Sequence, residues 1–243
     1  MKKPPEITAF TLRLIAMTAM LCDHLWGTIV PGNDWLTCIG RLAFPIFAFQ
    51  IVEGYFRTRD LKKYGMRLLA FACLSEIPFN LAMAGSWIYP LHQNVLWSFL
   101  ISLGLIHLNE KQKEKHILRR VATGIGTVVL GCMAGLLTMV DYYHAGVLTV
   151  LVFYFARPLG IWRYAAELAG LWYINLELLG GLVYEFTLFG HPVTFHQQGF
   201  ALLALVLIWL YRGKQGYHNR WVQLGCYGFY PAHLLILGLL RML

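Results

Sequence analysis

The chain has 243 residues, of which 58% are hydrophobic and 13% charged, and its mean hydropathy is +0.57. This composition excludes an ordinary soluble globule, and the length excludes a single helical hairpin, so we expect a polytopic membrane protein. The apolar runs are continuous rather than alternating, which favours helices over a transmembrane β-barrel. The formal charge of +8 comes from basic residues spread over short loops, so no nucleic-acid partner is expected.

Nine apolar segments follow one another along the chain. They cover residues 10–30, 35–56, 65–84, 93–108, 118–140, 142–157, 160–178, 199–212 and 221–241. The stretch 177–199 is interrupted by glycines, Glu185 and Pro192, so we interpret it as a re-entrant or interfacial piece, or else as a tenth span. The predicted fold is therefore an all-α, polytopic integral membrane helical bundle of about nine transmembrane helices (eight to ten), in one domain over residues 1–243.

Basic residues mark alternate loops of this predicted bundle. They lie at the N-terminus, with Lys2 and Lys3, and in the connections 57–67, 109–120, 157–163 and 212–220. The intervening loops contain no lysine or arginine; they are 31–34, 85–92 and 179–198. By the positive-inside rule the N-terminus is cytoplasmic and, with nine helices, the C-terminus lies outside. We expect a multi-pass protein of the inner, cytoplasmic membrane.

The first segment carries an ionisable pair, Asp23 and His24, inside an apolar run long enough to cross a bilayer. Such groups cost roughly 2.5 to 3.5 kcal/mol each at a helix centre, which favours a functional role. Arg13 precedes His24 by a spacing that returns to within ~20° of the same helix face after ~16 Å. One stripe therefore contains Arg13, Met17, Met20 and His24. Adjacent helical residues point ~100° apart, so Asp23 is expected to orient a group on another helix.

Further polar residues fall in the outer halves of the predicted helices and could converge on one cavity reached from outside. They are Arg41, Glu76, Asn94 and His233, with Asp141 and His144 at an outer junction. Prolines near three of them free backbone carbonyls, which suits either a site or an ordinary kink. The alternative for Glu53 and Glu76 is simple pairing with Arg57, Arg67 or Arg41, which would neutralise buried charge.

The five cysteines are odd in number, lie in apolar segments and show no CxxC spacing. We expect free thiols. Neither an HExxH motif nor a histidine pair at helical spacing is present, so no metal site is predicted.

Six sequence words together resemble the TraX family of membrane acetyltransferases, whose namesake acetylates the N-terminus of F-type conjugative pilin. The words are LRLIAMTAMLCDHLW at 12–26, RLAFPIFAFQIVEGYFRT at 41–58, KYGMRLLAFACLSEIPFN at 63–80, NVLWSFLISLGL at 94–105, DYYHAGVLTVLVFY at 141–154 and FYPAHLLIL at 229–237. They follow the family order over nearly the whole chain. Trp97, Ser98 and Tyr143 depart from the family pattern, which could alter the acceptor pocket.

The basic residue and histidine of the first helix also resemble the signature of broader transmembrane acyltransferases that modify surface sugars. There the histidine is implicated in acetyl transfer and the basic residue in holding the donor. The resemblance implies acetyl-CoA as donor. Its phosphates would bind among Arg13, Arg57, Arg59, Lys62, Lys63 and Arg67, which can make charge-assisted contacts to phosphate.

His24 would then act as general base or carry the acetyl group briefly, and Arg41 or Asn94 would stabilise the oxyanion. Asp23, Glu76 and His233 complete the predicted site. The acceptor is an amine or hydroxyl presented from the membrane or the outer side: a pilin-like peptide, an amino sugar or a small amine. Two other functions stay open, a proton-coupled transporter or flippase, because intramembrane acids and histidines relay protons, and a scaffold.

Overall fold

The computed structural model of the chain describes residues 7–243, so Lys2 and Lys3 lie outside the described part. Ten α-helices are present in that part: α1 Ala9–Thr28, α2 Asp34–Gly40, α3 Ala43–Arg57, α4 Leu61–Ala84, α5 Val95–Lys111, α6 Ile117–Leu137, α7 Tyr143–Ala156, α8 Arg163–Trp172, α9 Leu203–Trp209 and α10 Arg220–Arg241. Shorter helical turns cover Arg157–Trp162 and Gln197–Leu202 (3-10) and Tyr173–Leu179 (π).

Within residues 7–243, five helical stretches are long and apolar enough to cross a membrane. They are Asp34–Arg57, Leu61–Ala84, Ile117–Leu137, Tyr143–Leu179 and Arg220–Arg241. The chain is therefore a helical membrane protein, as predicted. Every one of the nine predicted segments contains helix, but α1, α5 and α9 do not belong to the five stretches. The nine-helix topology and the cytoplasmic N-terminus stay predictions.

The predicted second helix, 35–56, is interrupted. Helix α2 ends at Gly40 and α3 begins at Ala43, with Arg41 at the end of α2. Pro45 lies in the first turn of α3, where its missing N–H would have no helical acceptor in any case. The break thus costs little backbone hydrogen bonding and places the Arg41 side chain at a helix junction.

The stretch 177–199 forms neither a spanning helix nor a helical re-entrant segment. After the π-helix it folds into an antiparallel hairpin, with β1 Val183–Leu188 paired to β2 His191–His196. Gly180 and Gly181 adopt φ of 63° and 84°, a left-handed region that glycine enters without a steric penalty. The described residues thus add one small two-stranded sheet to the predicted helical fold, because paired glycines end the helix.

The largest core cluster lies where α1, α3, α5, α7 and α9 meet. Its fully buried members include Leu12, Ile46, Ile106 and Val150, each 0% exposed. Helices α4 and α10 pack closely against each other, and α1 packs against α10, which carries His233.

Candidate functional site

His24 on α1 faces His233 on α10. Nδ1 of His24 lies 2.7 Å from Nε2 of His233, and the two rings are nearly parallel with centroids 4.9 Å apart. Nδ1 of His233 lies 2.7 Å from the carbonyl oxygen of Phe229, one turn earlier on α10. The structure thus brings together two of the predicted catalytic residues, which are 209 positions apart in sequence.

For neutral rings, the hydrogen bonds of this pair define both tautomers. A carbonyl oxygen can only accept, so Nδ1 of His233 must carry the proton that binds Phe229. Nε2 of His233 is then an acceptor, and Nδ1 of His24 donates to it. Nε2 of His24 is consequently left with a free lone pair, the state that a general base needs.

Asp23 has different partners. Its Oδ1 forms an ion pair with Nη2 of Arg41 and accepts a hydrogen bond of 2.6 Å from the Thr37 hydroxyl. Nε2 of Gln197 donates to that hydroxyl at 2.6 Å, and Thr37 is fully buried. Asp23 therefore orients a group at the α2–α3 junction rather than His24. Neither Thr37 nor Gln197 was identified from the sequence.

Glu76 on α4 is held by Asn94, which caps the N-terminus of α5, and by Trp97 in the first turn of α5. Its Oε2 accepts hydrogen bonds from Nδ2 of Asn94 and, at 3.0 Å, from Nε1 of Trp97. Nδ2 of Asn94 also donates to the carbonyl of Ala72 at 2.9 Å. Both amide protons of Asn94 are therefore used, which leaves Arg41 as the better candidate for oxyanion stabilisation. Glu76 therefore pairs with an amide and an indole, and not with an arginine as the alternative interpretation predicted.

A basic cavity of about 310 Å³ opens between α1, α3, α4 and α10. Three of the predicted donor-binding residues line it: Arg13, Arg57 and Arg67. The other three, Arg59, Lys62 and Lys63, are exposed and lie outside the lining, and Lys63 forms an ion pair of 3.3 Å with Asp60. The structure therefore gathers half of the predicted set around one cavity.

A narrower cavity of about 120 Å³ continues from the basic one. The two share four lining residues: Arg13, Gln50, Tyr64 and Tyr227. Met17 and Met20 of the predicted α1 stripe line the narrow part, which reaches Tyr230. The Tyr230 ring centroid is 6.4 Å from that of His24 and 5.9 Å from that of His233. The cavities thus run from the three arginines to the neighbourhood of the two histidines.

A further cavity of about 660 Å³ adjoins the basic one and shares Glu53, Arg57 and Tyr211 with it. It adds three arginines that the sequence treated only as topology markers: Arg157, Arg163 and Arg212. Oε2 of Glu53 accepts a hydrogen bond of 3.0 Å from Nε of Arg57, and Oε1 of Glu53 forms an ion pair of 3.5 Å with Nε of Arg157. Glu53 therefore bridges Arg57, one of its predicted partners, and Arg157, which the sequence did not predict as a partner.

Within residues 7–243, no group of three or more histidine, cysteine or acidic side chains is arranged to hold a metal ion. The five cysteines are free thiols, as the sequence predicted.

These features define an integral membrane protein in which two contacting histidines lie near, but do not line, adjoining cavities that contain three arginines. The TraX protein family matches residues 9–241, and the chain belongs to this family. The probable fimbrial assembly protein FimC of serogroup H1 from Dichelobacter nodosus is 24% identical over 262 residues, which cover 98% of this chain and 97% of that protein. No solved structure matches the chain. The resemblance seen in the sequence words is thereby confirmed.

Proposed function

We propose that this protein transfers the acetyl group of acetyl-CoA to an amine or hydroxyl acceptor. The observation that carries the proposal is the pair of adjoining cavities that leads from three arginines to Tyr230, whose ring centroid lies 6.4 Å from that of His24. A proton-coupled transporter or flippase would use the same intramembrane acids and histidines. Proton transport alone would not explain why three arginines line the opening of the cavity.

The donor would bind with its phosphates at Arg13, Arg57 and Arg67. Guanidinium groups make strong, directional contacts to phosphate, and a cavity of about 310 Å³ falls at the lower end of the usual size for small-molecule sites. The pantetheine arm would then follow the narrow cavity past Met17 and Met20. This orientation brings the thioester toward His24 and leaves the charged end among basic loops.

The chemical step then follows from the histidine pair. Nε2 of His24 takes the proton of the acceptor amine or hydroxyl while the acceptor atom attacks the thioester carbonyl carbon. His233 accepts the bond from Nδ1 of His24 and so stabilises the imidazolium that forms. Arg41 would stabilise the tetrahedral oxyanion. Collapse breaks the carbon–sulfur bond, and the imidazolium returns its proton to the CoA thiolate.

We further propose the topology that suits this chemistry: about nine spans, a cytoplasmic N-terminus and a single domain in the inner membrane. Acetyl-CoA would then reach the arginines from the cytoplasmic side, where the basic loops lie. The name of the relative from Dichelobacter nodosus refers to fimbrial assembly. That name supports a pilin-like peptide as the first acceptor to test, ahead of amino sugars and small amines.

The test is mass spectrometry of acetyl-CoA consumption and acetylated product, with purified protein and a panel of peptides, amino sugars and small amines. We expect activity in the unchanged protein and a loss of 10²- to 10⁴-fold in His24→Ala, the usual contribution of a general base. His191→Ala, an exposed histidine of the hairpin, is the matched control. Full acetyl transfer by His24→Ala would refute the assignment, and folded protein that does not bind acetyl-CoA would favour transport.

A further inference from the structure

A separate cavity of about 330 Å³ lies between α5, α6 and the end of α7. Its polar part contains three cationic side chains, Lys113, Arg120 and Arg157, and one carboxylate, Glu110. Glu110 already accepts a hydrogen bond of 2.9 Å from the Tyr154 hydroxyl and pairs with Lys113 at 3.5 Å. The polar part therefore carries excess positive charge.

The other part of this cavity is apolar and continues along α6. It shares Val121, Gly124 and Phe155 with an open groove of about 360 Å³ whose remaining lining is Ile125, Val128 and Val129. Only 17% of the apolar part of α6 is buried against the rest of the chain. Most of the surface of this helix is therefore free to face lipid. Gly124 keeps the groove open, since the nearest atom to a Cβ there would be in the Phe155 ring at 3.7 Å.

We propose that this cavity and groove bind one anionic phospholipid, with its phosphate at Lys113, Arg120 and Arg157 and an acyl chain along α6. The charge of the polar part selects the headgroup, and the apolar groove next to it selects an attached chain. A free anion would leave the groove unused, and a neutral lipid would add no net negative charge to a cavity whose lining has three cations and one carboxylate. Lys113 and Arg120 lie outside the cavities proposed for acetyl-CoA, whereas Arg157 also lines the cavity of about 660 Å³ and pairs with Glu53, so the charge variants are made at Lys113 and Arg120.

The test is native mass spectrometry of delipidated protein titrated with dioleoyl phosphatidylglycerol or with dioleoyl phosphatidylcholine. We expect preferential retention of phosphatidylglycerol. Lys113→Ala combined with Arg120→Ala should weaken it by about 20- to 30-fold, since each cation near a membrane surface contributes on the order of 5-fold. Lys115→Ala, an exposed lysine of the same loop outside the cavity, should change the affinity by less than about 2-fold.

The groove has its own pair of variants. Gly124→Leu places a side chain in the groove and should displace the lipid, whereas Gly126→Leu on the opposite face meets open space and should not. Thermal unfolding confirms that all variants fold. Equal affinity for both lipids, or no effect of the charge variants, would overturn the proposal. Competition by inorganic phosphate or by CoA would also overturn it, because the site would then belong to a soluble anion.

Discussion

Nδ1 of His24 lies 2.7 Å from Nε2 of His233, and the carbonyl of Phe229 accepts from the far nitrogen of His233. The three groups form a chain in which each proton has a defined donor and acceptor. His233 therefore fixes the tautomer of His24, and Nε2 of His24 is the atom that remains free to act as a base.

Replacing His233 should lower acetyl transfer without removing the base. We expect His233→Ala to lower kcat by about 10²-fold, at the lower end of the loss expected for His24→Ala. The KM for acetyl-CoA should change little, because His233 lies beyond the arginines. His233→Gln should recover part of the activity, since its amide oxygen can accept from Nδ1 of His24.

A positioning role for His233 also has a spectroscopic signature. Nitrogen-15 chemical shifts of His24 report which ring nitrogen is protonated. We expect the proton on Nδ1 in the unchanged protein and a mixture of tautomers in His233→Ala. A His24 spectrum that is identical in both proteins would contradict the positioning role even if activity fell.

The arginines predicted to bind the donor divide into those that line a cavity and those that do not, and experiment can tell the two groups apart. Arg13 lines both the basic and the narrow cavity, whereas Arg59 lines neither. Arg13→Gln should weaken acetyl-CoA binding by about 10- to 100-fold, since a hydrogen bond to a charged group contributes roughly 1.5 to 3 kcal/mol. Arg59→Gln should leave binding within about 2-fold. Isothermal titration calorimetry measures both, and equal effects of the two variants would count against the cavity as the donor site.

The sequence predicts the helices well because long apolar runs in a membrane protein have few alternatives to helix. It also identifies the stripe of α1, since the spacing from Arg13 to His24 fixes both ends on one helix face. The pairing of His24 with His233 is different, because it depends on how α1 and α10 pack. Helical periodicity within one segment carries no information on which other helix lies against it.

The polar partners of Asp23 were beyond sequence reasoning for a related reason. Thr37 and Gln197 are uncharged residues with no motif around them, and the contacts of Thr37 and Arg41 with the Asp23 carboxylate depend on how α2 packs against α1. Similarly, the charges of Lys62 and Lys63 predict the side of the membrane but not the direction of each side chain. Counting the basic residues of a loop therefore overestimates the number that can line one cavity.

The close packing of α4 and α10 gives a prediction on stability. A Cβ at Gly238 would lie 2.7 Å from Cβ of Leu81 and 2.9 Å from the backbone nitrogen of Ala82. Because backbone atoms cannot move aside easily, we expect Gly238→Ala to lower the free energy of unfolding by about 1 to 3 kcal/mol. Gly225→Ala on the same helix meets open space and should be neutral or slightly stabilising. Chemical unfolding in detergent compares them, and equal stability of the two variants would show that α4 and α10 are less tightly packed.

The loops that precede α5 and α7 are joined by a titratable contact. Nε2 of His92 lies 3.3 Å from Oδ1 of Asp141, and backbone hydrogen bonds of 2.9 and 2.8 Å link Gln93 to Met139 and Asp141. The hydrogen bond to Asp141 raises the pKa of His92 above its usual 6.5, with partial burial acting in the opposite direction. Protonated His92 therefore binds Asp141 more strongly than neutral His92 does.

This shift makes part of the stability depend on pH. A histidine whose pKa is raised in the folded state stabilises fully below its unfolded pKa of about 6.5, and the contribution is lost as pH rises through the folded value. The difference in melting temperature between the unchanged protein and His92→Gln should thus be larger at about pH 6 than at about pH 8. In an Asp141→Asn background, the effect of His92→Gln on the melting temperature should depend much less on pH, because the carboxylate that raises the pKa of His92 is gone. A His92→Gln difference that stays constant across this range would contradict the assigned shift.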